Sequence, residues 1–458
     1  MKKISNASAL LLCLAFVLAG CNGSGESEVT ELTTANTLDD DIRNPVDLSN
    51  IEKDTTVTLE NPNITYLGYY DFRTSGDIKP AVKLFEETYG GTIDYYPTTW
   101  AERTERLATL ILSGDSPDLV DKDGNSFPHL MSLDMYEDLT DYIDLTLPQW
   151  QGMEDIVNSY TWDNKHYYYP WVAEASPYWL MYNEGLFEDY GIDLPIDLYN
   201  ENNWTWDTFK SCMVSFVDNV PDALCGYYGV NGYSLFDSTG VSLIGIEDGK
   251  LVNNMRNPKI EKAAMFLEEL RRDGLSYRGE GMYGTEHDPL INGLSAFQGI
   301  GIWMYAGYCN DYADYNINIV PFPRDPSADD YYYSVSTFGY LVPKGSKNIE
   351  GAAAFINMIR LVQVDEELGA ITKQSEMNEK GYTSEQYDFI KSFHKIENFN
   401  FVNNIYEGFD TDTNTVIADV VGNITFVTDD NSASWTQLRE EYEHLISETF
   451  NEYNASLS

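Results

Sequence analysis

An α/β chain in two lobes is what this sequence predicts, and two observations predict it. From Ile64 onward, short apolar runs alternate with amphipathic helical stretches, the order of βαβ units and a largely parallel sheet. About 400 residues follow the polar N-terminal region, too many for one ordinary core and enough for two domains.

The elements follow in order. Ile64 to Tyr70 reads as a first strand, and Pro80 to Tyr89 as a helix stopped by Gly90 and Gly91. Thr92 to Tyr96 is a second strand. Trp100 to Ser113 is a second helix with Leu107, Leu110 and Ile111 on one face, and Asp118 to Val120 a short third strand. After Pro170 a second lobe begins, with Tyr178 to Tyr182 as a strand and Trp206 to Val217 as a helix. Lys259 to Arg272 is a helix burying Ala263, Ala264, Phe266, Leu267 and Leu270. Ile300 to Tyr305, Ile317 to Val320 and Phe338 to Pro343 are apolar enough for buried strands. Helices are expected from Asn348 to Leu361 and, rich in Glu, from Ser434 to Tyr453.

The N-terminus has the order of a secretory signal: Lys2 and Lys3, an apolar run from Ala9 to Ala19, then Leu18, Ala19, Gly20 and Cys21. The run is too short for a comfortable span, which needs about 20 apolar residues. The Leu-Ala-Gly-Cys tetrad resembles the lipobox of bacterial lipoproteins. That resemblance implies removal of residues 1–20, a diacylglycerol thioether on Cys21 and anchoring on the outer face of the cell membrane. Residues 21–58 are polar and poor in aromatics, as expected of a flexible tether.

A formal charge of −46 repels nucleic acid and anionic headgroups, so no nucleic-acid partner is expected and the lipid must do the anchoring. Beyond Cys13 and Cys21 the cysteines are Cys212, Cys225 and Cys309, an odd set without a metal or redox spacing. A Cys212–Cys225 bridge stays open, but isolated small apolar residues suit the irregular spacing better. Nucleotide-cradle and nucleophile-elbow patterns are absent, and His129, His166, His287, His394 and His444 lie at no metal-ligand spacing. Asp410, Asp412 and Asn414 imitate a calcium loop, but Thr415 and Val421 stand where its Gly and Glu belong. No cofactor and no metal are expected. With 74 acidic residues no catalytic carboxylate pair is singled out, so a glycosidase is neither supported nor dismissed on that ground.

The composition that does speak is aromatic: 34 Tyr, 9 Trp and 20 Phe, many beside polar residues in loops. Such rings suit sugars, whose C–H faces stack while their hydroxyls bond to polar groups.

From Ile64 to Asn454 the ordered blocks resemble the carbohydrate-class solute-binding proteins of ABC importers, of the broad maltose-binding type. The blocks are Leu84 to Glu86, Leu112 to Val120, Tyr169 and Pro170, Leu180 to Phe187, Trp204 to Trp206, Asn257 and Pro258, Ala296 to Gly299 into Trp303 and Met304, and Phe338 to Lys344 with Ala352 to Phe355. The resemblance implies a two-lobed periplasmic-binding-protein-like fold with a ligand cleft between lobes, crossing hinge segments near 171 and 338, and no catalysis. Lobe one would comprise 59–172 and 338–395, lobe two 173–337 and 396–458. It implies a monomer that closes on a carbohydrate and docks on permease subunits of an ABC transporter.

By matching position, Tyr70, Asp71 and Arg73 follow the first strand as sugar-hydroxyl partners, and Trp100 opens the second helix. Lys122 and Asn125 stand where maltose-type members place an aromatic and an acid, a departure that counts against maltodextrin. Glu174 falls at the family's crossover carboxylate, a bidentate acceptor for two vicinal hydroxyls, flanked by Trp171 and Tyr178. Tyr305 and Tyr308 follow the 303–304 strand as an aromatic platform. The alternatives are the same scaffold binding a non-sugar solute, or a surface glycosidase or glycan adhesin.

Overall fold

The computed structural model describes residues 46–53, 58–175, 178–229, 233–247, 250–277, 289–312, 315–395, 399–402, 408–409, 411–425 and 433–456. The signal segment, Cys21, most of the tether, His287 and Asp410 lie outside them. The chain divides into two compact units that it crosses between three times, at 172/173, 337/338 and 379/380.

In unit one, β1 (Ile64–Gly68) leads to α1 (Lys79–Tyr89), which Pro80 starts and Gly90 ends in the left-handed conformation (φ 74°). Then come β2 (Ile93–Pro97), α2 (Arg103–Ser113) and β3 (Leu119–Asp121). β1 pairs parallel with both β2 and β3, and the short strand Tyr340–Leu341 adds antiparallel to β3, placing Tyr340 opposite Asp121. Helix Ile349–Val364 packs on α1, its Phe355 ring 5.5 Å from Phe85 and 5.6 Å from Phe72. α2 starts three residues later than the sequence suggests. Trp100 therefore precedes the helix, in a turn where Glu102 N–H donates to Thr99 Oγ1.

Unit two begins within β4 (Val172–Ala175) and continues through β5 (Tyr178–Asn183), α3 (Trp206–Asn219), β6 (Cys225–Gly229) and α4 (Pro258–Arg272). β7 (Ser276–Tyr277), β8 (Ser295–Gly301), α5 (Ile302–Asp311) and β9 (Ile317–Pro321) follow. Its main sheet has the order β7-β6-β8-β5-β9. The expectation of a largely parallel sheet holds only on one side: β7, β6 and β8 run parallel, but β5 is antiparallel to both β8 and β9. Phe297, fully buried on β8, meets Tyr182, Phe187, Trp204 and Phe209 with ring centroids 5.0–6.4 Å away, so aromatic side chains fill this core.

The strand expected from Ile300 to Tyr305 is overturned. β8 stops at Gly301 and the chain turns helical, because Ile302, Tyr305 and Tyr308 recur at spacing three and all three are buried. Likewise the strand expected at Phe338 to Pro343 resolves into Tyr332–Phe338 and the two-residue Tyr340–Leu341. α6 (Ser384–Ser392), with a Thr383/Gln386 capping box, packs Phe389 and the following Phe393 on Trp179 of unit two. Cys212 and Cys225 are both free and buried, as the isolated reading had it. Among the described residues no helix is long and apolar enough to cross a membrane, and no cluster of side chains could hold a metal.

Candidate ligand-binding residues in each unit

Unit one carries an exposed aromatic array beside a carboxyl group of unusual acidity. β1 ends at Gly68, a position without room for a side chain: a Cβ there would lie 2.0 Å from the Tyr66 oxygen. The chain then leaves the sheet as Tyr69 and Tyr70. Their ring centroids are 5.0 Å apart, and Trp100 stands edge-on to Tyr69, also at 5.0 Å. All three rings reach solvent, Trp100 with 56 % of its surface.

Beneath them, Tyr66 Oη donates to Asp121 Oδ2 at 2.6 Å. Burial pushes the Asp121 carboxyl up to about 7, and the negative charge of Asp123 adds to this, while bonds from Tyr66 and Tyr70 oppose it. Arg103, at the start of α2, donates from Nε to Asp123 Oδ2 at 2.6 Å and from Nη1 to the Trp100 carbonyl, and its guanidinium lies 3.6 Å from the Trp100 ring centroid. Leu67, Gly68, Tyr69, Arg103, Asp121 and Asp123 line a small hollow open to solvent. The one guanidinium is already paired and the carboxyl nearest the rings titrates near neutrality, an arrangement suited to an uncharged polyhydroxyl ligand.

Other residues marked in the sequence stand apart from this array or face the fold. Asp71 and Arg73 hold each other through two bonds of 2.7 and 2.8 Å, and Arg73 also donates to the Ile93 carbonyl, clamping the exit of β1 to β2. The Lys122 ammonium lies 5.4 and 5.9 Å from the ring centroids of Tyr160 and Tyr168. Asn125 is half-buried in the single 3₁₀ turn Gly124–Ser126. Trp171 is buried, 6.1 Å from Phe338 by ring centroid, its carbonyl accepting a 3.0 Å bond from Arg360, whose guanidinium burial brings down to about 10.

In unit two, Tyr178 at the start of β5 lies 5.9 Å from Trp303, which is 59 % exposed. The Trp303 ring covers Gly301, where a Cβ would approach it to 2.2 Å. Tyr305 and Tyr308, the residues expected to form the platform, are on the opposite, buried side of α5. Tyr305 is fully buried, stacked 5.9 Å from Tyr382 and accepting a 3.0 Å bond from Gln386 of α6. Tyr308 Oη accepts from Gln298 Nε2 at 2.9 Å. Glu174, on β4, accepts a 2.9 Å bond from His394 Nε2. Tyr69, Arg103, Asp121, Asp123, Trp303 and His394 join the candidates from the structure and had not been singled out by the sequence. Tyr69 had a signal, since it shares the strand exit with Tyr70.

The profile of the family described as bacterial extracellular solute-binding protein matches residues 73–360. No protein of curated function matches the sequence. Among solved structures, an ABC substrate-binding protein from Listeria monocytogenes in complex with cycloalternan is similar at 16 % identity. It has a TM-score of 0.63 over 85 % of this chain and 99 % of that one. The sugar-binding protein MalE from Xanthomonas citri gives 14 % identity, TM-score 0.62, and 85 % and 98 % coverage. UgpB from Mycobacterium tuberculosis in complex with glycerophosphocholine gives 12 % identity, TM-score 0.62, and 85 % and 99 % coverage.

Proposed function

We propose, from the premise that this chain belongs to the bacterial extracellular solute-binding proteins, that it captures an uncharged sugar or oligosaccharide outside the cytoplasm. It then delivers that sugar to the permease of an ABC transporter, without catalysis. The observation that carries the sugar is the exposed array of Tyr69, Tyr70 and Trp100 above Asp121, which pairs ring faces with hydroxyl-bonding groups. Within unit two, the separate candidates for solute contact are Tyr178, Trp303 and Glu174. Two of the similar structures support this reading by their own ligands or names, cycloalternan and a sugar-binding protein.

Calorimetric titration with a panel of neutral mono- and oligosaccharides tests it. At least one saccharide binds, and Trp100→Ala weakens it about tenfold or more, in line with about 0.5–1.5 kcal/mol for ring contact plus the lost buried area, with little change in melting. A panel without heat for any saccharide sinks the sugar reading. The UgpB structure, holding a glycerophosphodiester, favours a second reading in which the same scaffold takes a non-sugar solute; heat with glycerophosphocholine and none with saccharides would select it.

The protein is proposed to be held at the membrane by a lipid on Cys21, with the polar residues that follow as tether. Anchoring raises its concentration near the permease. Cys21→Ala is expected to release it from membranes in cell fractionation while leaving saccharide affinity unchanged; a membrane-bound variant refutes the anchor.

A further inference from the structure

Glu174 is 7 % exposed, and its two carboxylate oxygens have unlike surroundings. Oε2 accepts from His394 Nε2 at 2.9 Å, whereas Oε1 is buried without a hydrogen-bond partner among the described residues. A buried acceptor left without a donor costs about 1–3 kcal/mol, and more when it is charged. A buried oxygen of this kind calls for an account, and a hydroxyl that arrives with a bound solute supplies one.

The partner on the other oxygen is held firmly. His394 follows α6 in a turn whose preceding residue, Phe393, accepts a 2.8 Å backbone bond from Ala175, the strand neighbour of Glu174. The Phe393 ring is buried against Trp179 at 4.5 Å, Phe399 at 4.9 Å and Phe389 at 5.7 Å. Two consecutive residues of β4 are thus tied to two consecutive residues of one turn, one pair through the backbone and one through side chains. The imidazole reaches Glu174 from a rigid base.

We infer that His394 is a positioning residue: it holds the Glu174 carboxylate by Oε2 so that Oε1 is presented as the single acceptor for a hydroxyl donated by the bound solute. This rests on the reading above that Glu174 touches the solute. It replaces a carboxylate shared bidentately by two vicinal hydroxyls with one that offers the solute a single oxygen, because the other is committed to the imidazole. The chemistry required of the solute at this point is one hydroxyl donor.

The test uses the full chain and the tightest-binding saccharide from a panel that includes cycloalternan, maltotetraose and α-D-tagatose. Dissociation constants are measured for Glu174→Gln, His394→Ala, His394→Gln and the double variant Glu174→Gln/His394→Ala, with melting temperatures alongside. The expected result is a loss of tenfold or more for Glu174→Gln and for His394→Ala. His394→Gln, whose amide supplies a donor of similar reach, recovers to within about threefold of the unsubstituted protein. The double variant binds no worse than Glu174→Gln alone, because residues acting as one unit are not additive. If Glu174→Gln binds normally, or no saccharide binds, the underlying reading falls and this inference with it. If Glu174→Gln binds poorly while His394→Ala binds normally, or the two losses multiply in the double variant, the inference alone is overturned. A melting temperature lowered by His394→Ala and not restored by His394→Gln, with affinity intact, would make the pair purely structural.

Discussion

Asp121→Asn converts the acidity of the unit-one array into a stability measurement. The folded Asp121 carboxyl is raised from 3.8 to about 7, chiefly by burial. Below pH 4 the folded and unfolded chains both hold this proton, and the group makes no difference to stability. Between pH 4 and 7 the unfolded chain releases the proton while the folded one keeps it, so stability falls by about 1.4 kcal/mol for each pH unit. Above pH 7 both states are ionised and the penalty is complete. The gap between 3.8 and about 7 corresponds to about 4 kcal/mol, an upper bound because water in the adjoining hollow screens the charge. An Asn at this position keeps an acceptor for Tyr66 Oη and does not titrate. Urea unfolding followed by tryptophan fluorescence, run on both proteins from pH 4 to 8.5, isolates the contribution of this one group. The variant should match the unsubstituted protein at pH 4 and exceed it by about 2–4 kcal/mol at pH 8. Parallel stability profiles across the range would refute the burial argument, and a difference that shrinks as pH rises would reverse its sign.

Gly68→Ala should displace the Tyr66 phenol, since the new Cβ would lie 2.0 Å from its oxygen. A cost of about 1–3 kcal/mol is expected in urea unfolding, and wild-type stability would show that the ring is not confined there. Cys212 and Cys225 should resist iodoacetamide in the native protein at pH 8, because burial pushes the Cys212 thiol up to about 12 and raises Cys225 as well. Peptide mass analysis reads the labels, and modification of either residue before urea is added would contradict their burial.

What the sequence made legible was local period. α1, β2, β3 and α4 lie within a few residues of where apolar spacing, Pro80 and Gly90 put them. The Ile300 to Tyr305 stretch went astray because an apolar run of that length has no period of its own. It was the end of one strand and the start of a helix, with Gly301 between them. The direction of β5 was likewise hidden, since strand polarity depends on which partners a strand finds, and a buried strand reads the same either way.

The same ambiguity governs the aromatic binding candidates. Taken as following a strand, Tyr305 and Tyr308 looked like a platform. In a helix, residues three apart share one face, and Ile302 is on it with them, buried. Trp303 is then forced to the other face, where it is 59 % exposed beside Tyr178. One change of period therefore exchanges the core aromatics for the exposed one without altering a residue. His394 is hidden for a different reason. It is 220 residues from Glu174 in sequence, and a bond across that distance leaves no spacing to detect. Phe389 and Phe393, at helical spacing just ahead of it, are the local trace. They show which face of α6 packs inward, and hence that the residue after Phe393 is carried to the strand that holds Glu174.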